Sequence, residues 1–298
     1  MKNSMNVEGL RITVIIPVYN DFESLKGLLP LLEIQTIDKS KYEVIVVDNC
    51  SDSDINLQIK DYNWLSVLSE CNHKGSPYSC RNRGIEQAKG SIIALLDSTC
   101  YPEKTWLEEA LACFKDPNVD MVAGNVGFRF AKQIPTAGEF YDSITNIKMK
   151  ESVTERNVAK TANLFVQKRV FDEVGMFEEG IRSGGDVAWT KKATDAGYTL
   201  SFGSKVLVKK EARKFYQLLK KQFRVGKGQP KIWKSNGVNK PIIKVALSIL
   251  KLISFPRFIK NHKSISKEAQ VSVLRLFVVA SLVRITMRFA NTLALISK

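Results

Sequence analysis

A chain of 298 residues, 44% of them hydrophobic, has room for one large α/β domain and an appendage, and its apolar content excludes the disordered class. Its net charge of +15 belongs to one end: Lys209 to Lys298 hold 21 Lys and Arg against two acids, whereas the first 208 residues hold 24 against 28. Five cysteines, odd in number and without a CxxC pair or clustered histidines, argue against a disulfide framework or a zinc site and for a reducing cytosol.

The opening MKNSMNVEGL lacks a charged start followed by an apolar core, so no export signal is expected. RITVIIPVYN is a β-branched strand stopped by a polar turn. FESLKGLLPLLEIQ then shows helical spacing through Leu25, Leu28, Leu29 and Leu32, with a kink expected at Pro30. YEVIVVDNCSDSD repeats the pattern, a buried strand running into Asp48 and turn-forming residues, and a helix from Ile55 to about Tyr62 returns the chain. WLSVLSE reads as a third strand, SPYSCRNRGIEQAKG as a loop and helix ending on Gly90, and SIIALLD as a fourth strand. Continuous apolar strands alternating with helices predict a parallel sheet covered on both faces. Beyond Trp106, WLEEALACF is helical and VDMVAGNVGFRF alternates as an edge strand would. AKTANLFVQKRVFDEVGMF reads as strand then helix, SGGDVAWTKKATDAG as a glycine turn opening a helix that stops on Gly197, and YTLSFGSKVLVKK as a last strand.

Strands end on Asn20, Asp48 and Asp97. One such residue is ordinarily a turn cap. Three at the same end of a sheet are better explained by one crevice, since ligands of open α/β sheets bind outside the carboxyl ends of the strands.

These segments resemble the family 2 glycosyltransferases, inverting enzymes of the GT-A fold that move a sugar from a nucleotide diphosphate. The resemblance runs from about Ile12 to Gln229. VIIPVYND is similar to the family's opening strand and nucleotide loop, VIVVDNCSDSD to its VDDxSxD segment, and CRNRGIEQAKGSIIALLDSTC to its ARNxGxxxAxGxxxxFLDxDC block. NLFVQKRVFDEVGMFEEGIRSGGDVAWTKKATDAGY resembles the later block that carries the catalytic acid. The resemblance implies an α/β fold of GT-A type, a Rossmann-like and mostly parallel sheet sandwiched by helices. It implies a catalytic domain over residues 1–230, and the pattern of the remainder predicts a basic amphipathic helical appendage over 231–298. It also implies that Pro17, Tyr19 and Asp48 hold the base, that Arg81 lies beside base or phosphate, and that Asp97 takes the ribose and a divalent cation, Mg²⁺ or Mn²⁺. A planar guanidinium at Arg81 suits phosphate or base edges, though a surface helix cation reads the same way.

Two positions depart from the family's pattern. Its DxD triad supplies a second carboxylate for the metal, but Thr99 stands there, and a hydroxyl is a far weaker ligand for a hard cation. The last strand ends VLVKKEAR, with Lys210 where many relatives place a histidine. The expectation is therefore that Lys210, Arg224 and Lys227 neutralise the donor's diphosphate in part or in full. Asp186 in SGGDVAW is the expected base, since inversion by direct displacement needs one carboxylate to take the acceptor hydroxyl's proton. A helix N-cap would look alike. Trp189, one turn on, is placed either to stack on an acceptor sugar or to pack in the core. QFRVGKGQ, short, cationic and glycine-bearing, resembles a flexible segment that closes over the donor, and a solvated loop is the plainer reading.

In the tail, PIIKVALSILKLISF sets Lys244, Ser248 and Lys251 on one face, and a helix from Val271 to Ser297 aligns Ser281, Arg284, Arg288 and Asn291. Arginines at that depth disfavour spanning by about 3 kcal/mol each. Lying in the headgroup plane, with apolar sides in the acyl boundary and cations on anionic lipid, costs less. A helical pair packed on the catalytic domain or on a second subunit has the same pattern. The reading that results is an inverting hexosyltransferase that extends a surface polysaccharide or lipid-linked glycan of the cell envelope, peripheral or monotopic on the cytoplasmic face of the inner membrane. Thr99 and Lys210 motivate an alternative, a catalytically impaired relative that binds or scaffolds. A nucleic-acid partner is not expected, because the tail's cations alternate with long aliphatics rather than stacking aromatics.

Overall fold

The computed structural model describes residues 12–235, 238–250 and 253–297; the N-terminal segment read above for an export signal, and Lys251, lie outside the described residues. In chain order the elements are β1 (Ile12–Val18), α1 (Phe22–Glu33), β2 (Tyr42–Asp48), α2 (Ile55–Gln58), β3 (Ser66–Ser69), α3 (Pro77–Gln87), β4 (Ile92–Leu96), β5 (Cys100–Pro102), α4 (Trp106–Cys113) and β6 (Met121–Arg129). There follow α5 (Ala137–Thr145), α6 (Met149–Arg156), β7 (Asn163–Gln167), α7 (Lys168–Val174), α8 (Gly185–Asp195), β8 (Leu200–Glu211), α9 (Phe215–Ser235), α10 (Ile242–Leu247), α11 (Phe255–Glu268) and α12 (Val273–Ile296).

The eight strands form one sheet in the order β3-β2-β1-β4-β7-β6-β8-β5. The Rossmann-like half is parallel: β1 pairs with β2 and β4, and β2 with β3. Beyond β4 the pairing turns antiparallel, β4 with β7, β6 with β7 and β5 with β8, so the sheet is mixed. Every residue of β4 and all but one of β1 are buried, which is why these strands read as unbroken apolar runs. The chain leaves β1 toward β2 and returns on its other side at β4, and that reversal opens the crevice at their carboxyl ends.

Some expectations need correction. β6 is interior, not an edge strand. The helix begun at Ile55 stops at Gln58. QFRVGKGQ is not a loop but the middle of α9. Cys50 and Cys71 form a disulfide, Cα to Cα 5.0 Å. The register explains it: Asp48 pairs with Ser69, and each cysteine lies two residues beyond its partner of that pair. The bridge removes cysteine parity as an argument for a reducing compartment.

The chain divides into two units, one made of residues up to Gly127 with Ile147–Lys210, the other of Phe128–Asn146 with Glu211–Lys298. The expected boundary at residue 230 falls inside α9. In the second unit α5, α11 and α12 bury Phe140, Phe258, Val271, Leu276 and Ala280, while Leu218, Val279 and Val283 form a smaller cluster. A side chain at Gly226 would meet the carbonyl oxygen of Met287 at 2.5 Å and the Cβ of Ala290 at 2.7 Å, so this glycine is there to let α9 approach α12, not to hinge a loop. Asn291, expected on a polar stripe, is buried. The helix α11 was not anticipated in the sequence.

Candidate active site

Pro17 lies in register with Val47, and the last pair of β1 with β2 is Val18 with Asp48. Asp48 is buried, and its carboxylate accepts from the backbone N–H of Ser51 at 3.1 Å and from the Ser51 hydroxyl at 2.5 Å. The Asn20 side chain accepts from the Asp52 N–H and donates to its carboxylate, both at 2.8 Å, tying the turn after β1 to the turn after β2. Tyr19 stands exposed between them with the Lys74 ammonium 5.6 Å from its ring centre. Asp97 follows β4, on the other side of β1; two strand spacings put it roughly 10 Å from Asp48. That span suits a nucleoside.

Arg81 projects from α3, whose first turn is set by Pro77 and by the Ser76 cap accepting from the Ser79 N–H. Its side chain is 2% exposed, donates to Asp97 Oδ1 at 2.8 Å and to the Pro77 carbonyl at 3.2 Å, and its buried Nε has no hydrogen-bond partner among the described residues. The other carboxylate oxygen of Asp97 lies 3.5 Å from the Lys210 ammonium. Lys210 sits opposite Cys100 in the β5–β8 pair, is 4% exposed and donates to the Thr99 hydroxyl.

Asp186 occupies the first turn of α8, where the helix dipole favours a carboxylate. The helix can start there because Gly184 takes the left-handed conformation, φ 87°, that a side chain would strain. Asp186 is not the N-cap. Its Oδ1 accepts from the Tyr78 hydroxyl at 3.0 Å and the Val187 N–H at 2.9 Å, and its Oδ2 from the Thr161 N–H at 3.4 Å. Burial, and then the neighbouring Asp186 carboxylate, hold the Tyr78 phenol far above its ordinary range, so it stays a donor. Burial lowers Lys160 while the Asp186 carboxylate opposes that shift. Tyr78 also lies 5.5 Å from the Arg81 guanidinium. A continuous path therefore runs Asp97–Arg81–Tyr78–Asp186 along one face of α3. Tyr78 was missed in the sequence, although its spacing three residues before Arg81 puts both on that face.

The Asp97 corner does not fit a hard divalent cation. Its donor set is one carboxylate and one hydroxyl, with a guanidinium and an ammonium already on the carboxylate's two oxygens. A divalent ion roughly 4 Å from the ammonium would be repelled by about 8 kcal/mol at an effective dielectric of 20. Among the described residues no cluster of three or more His, Cys, Asp or Glu is placed to hold a metal.

Trp189 is corrected to the core. It is 4% exposed, stacks on Phe171 with centroids 4.4 Å apart, and donates to the Gly175 carbonyl at 2.6 Å, so it presents no open face to a sugar. Arg224 and Lys227 lie exposed on α9 in the second unit, Lys227 with its ammonium 5.0 Å from the Phe223 ring centre.

The glycosyl transferase family 2 model matches residues 13–165. Glycosyltransferase AglE of Haloferax volcanii is 48% identical over 244 residues, 80% of each chain. Among solved structures, mannosyltransferase PcManGT of Pyrobaculum calidifontis, in complex with GDP-Man and Mn²⁺, aligns with a TM-score of 0.59 at 18% identity over 97% of this chain and 74% of its own. TarS 1-349 of S. aureus in complex with UDP-GlcNAc aligns at 0.56 and 18% over 95% and 90%. These structures share the fold. With a family model over half its length and a relative nearly half identical across four fifths of both chains, the protein belongs to glycosyl transferase family 2.

Proposed function

We propose that this glycosyltransferase moves a sugar, with inversion, from a nucleotide-diphospho-sugar to a hydroxyl of a lipid-linked glycan. The observation that carries the reading is the Asp97–Arg81–Tyr78–Asp186 path, which couples a donor-side carboxylate to an acceptor-side one. In this mechanism Pro17, Tyr19 and Asp48 hold the base, and Asp97, oriented by Arg81, receives the ribose hydroxyls. Asp186 takes the acceptor's proton through Oδ2 as the acceptor oxygen attacks the anomeric carbon and the nucleoside diphosphate leaves from the opposite side. Tyr78 and the Val187 N–H fix Oδ1, so the carboxylate meets the hydroxyl already oriented. Neighbours solved with UDP-GlcNAc and GDP-Man support the donor class. Exchange of Asp186 for Asn is expected to lower turnover by at least a thousandfold with donor binding unchanged; an active variant removes Asp186 from the mechanism.

The second unit supports a place on an anionic membrane surface. Along α12, Leu274, Val278, Leu282, Phe289 and Ile296 are exposed and fall within an arc of about 80° at 100° per residue. Arg275 flanks that stripe on one side, Arg284 and Arg288 on the other. Leu274, Val278 and Leu282 of that stripe, with Lys214, Phe215 and Tyr216, line an apolar groove of 760 Å³. No helix among the described residues is long and apolar enough to cross a membrane. An apolar stripe edged by cations is the pattern of a helix lying in an anionic lipid surface.

A further inference from the structure

We infer that Thr99 and Lys210 together form a direct diphosphate contact that takes over the work of a divalent cation; the inference rests on the donor class proposed above. An ammonium has only donors, so its bond to Thr99 consumes a lone pair of the hydroxyl oxygen. The hydroxyl's own proton is thereby turned outward and made more acidic by the adjacent charge. A hydroxyl so held donates to an anion; a carboxylate in the same place would repel one.

Burial and charge agree with this. Lys210 is 4% exposed and held between Asp97 Oδ2 at 3.5 Å, Thr99 and the Cys100 sulfur at 3.9 Å, so its charge is fixed in one position beneath the crevice. Thr99 and Asp97 are the partly exposed members of the group. Asp97 alone would set a negative charge against a diphosphate. Lys210 cancels that charge, and Arg81 on the opposite oxygen leaves the corner with a net positive charge. The corner therefore attracts a diphosphate without any added ion, and it supplies the leaving group with a donor already in place.

The test is calorimetric titration of the full-length protein with UDP and with GDP, in EDTA and in Mn²⁺. One nucleotide is expected to bind wild type with a Kd that changes less than threefold between the two conditions. Thr99→Val, a shape-conserving change at a partly exposed position, is expected to weaken that binding about tenfold. Lys210→Met is expected to weaken it more, and Mn²⁺ is expected to rescue neither. The paired exchange Thr99→Asp with Lys210→His is expected to bind Mn²⁺, read by the ion's own paramagnetic resonance, and to make nucleotide binding sensitive to EDTA. Wild-type binding that needs Mn²⁺, or a Thr99→Val protein that binds as well as wild type, overturns the inference and leaves the donor reading standing. Failure of both nucleotides to bind under either condition overturns the donor reading, and this inference with it.

Discussion

Tyr78 is positioned by two interactions of different kind, a hydrogen bond to Asp186 at 3.0 Å and the face of its ring toward Arg81. Removing the hydroxyl costs a bond to a charged acceptor, on the order of 1.5–3 kcal/mol. Tyr78→Phe is accordingly expected to lower kcat by ten- to a hundredfold at unchanged donor Kd. A loss expressed only in donor Kd contradicts the assignment. Cys80, next to Arg81, is fully buried, and burial pushes its thiol up to about 12 from 9.0. The folded chain then keeps a proton that the unfolded chain loses. Stability from this group is complete below pH 9 and falls as pH rises toward 12. The fall of melting temperature over that range is expected to be shallower in Cys80→Ala; an unchanged slope counts against a titrating Cys80.

At the scale of elements, what is buried on both faces was the most legible. β1, β2 and β4 announce themselves as largely apolar runs, and the acids that end β2 and β4 mark the crevice because a strand this apolar has little other reason to finish on one. Asp48 and Asp97 could be picked out in this way, and Arg81 and Asp186 through the resemblance. Trp189 could not be resolved, since an aromatic one turn from a carboxylate looks alike whether it faces a ligand or Phe171. The alternation of β6 reads as an edge strand, yet in the fold Gly124 leaves room for the Asn163 side chain, with Nδ2 2.2 Å from where a Cβ would be. Gly226, which reads as loop flexibility, is likewise a packing glycine, and both show that packing between elements distant in sequence leaves no local mark. The Cys50–Cys71 link depended on the register of β2 against β3, which no spacing rule supplies. The link closes a loop of about 20 residues, worth about 3 kcal/mol in the chain-entropy account. The double exchange of Cys50 and Cys71 for Ser is expected to lower unfolding free energy by that amount in urea titration; an unchanged midpoint means the bridge carries no stability.

For the whole molecule, the lopsided charge and the exposed stripe of α12 predict behaviour at a surface. The full-length protein is expected to sediment with vesicles containing phosphatidylglycerol and to stay in the supernatant with neutral ones. Val278→Glu with Leu282→Glu is expected to lower vesicle binding at least tenfold while leaving nucleotide binding intact. These residues are exposed, so the core of the second unit is untouched and no helix is removed. Equal sedimentation of wild type and variant would assign the stripe to another role. The choice of laboratory buffer matters for each of these measurements. The Cys50–Cys71 bridge anchors the turn next to Asp48, so a thiol reductant would loosen the turn proposed to hold the nucleoside base, and an incoming donor would then have to order that turn itself. Preparations handled with and without dithiothreitol are thus two different receptors, and titrations that mix them would report an affinity belonging to neither.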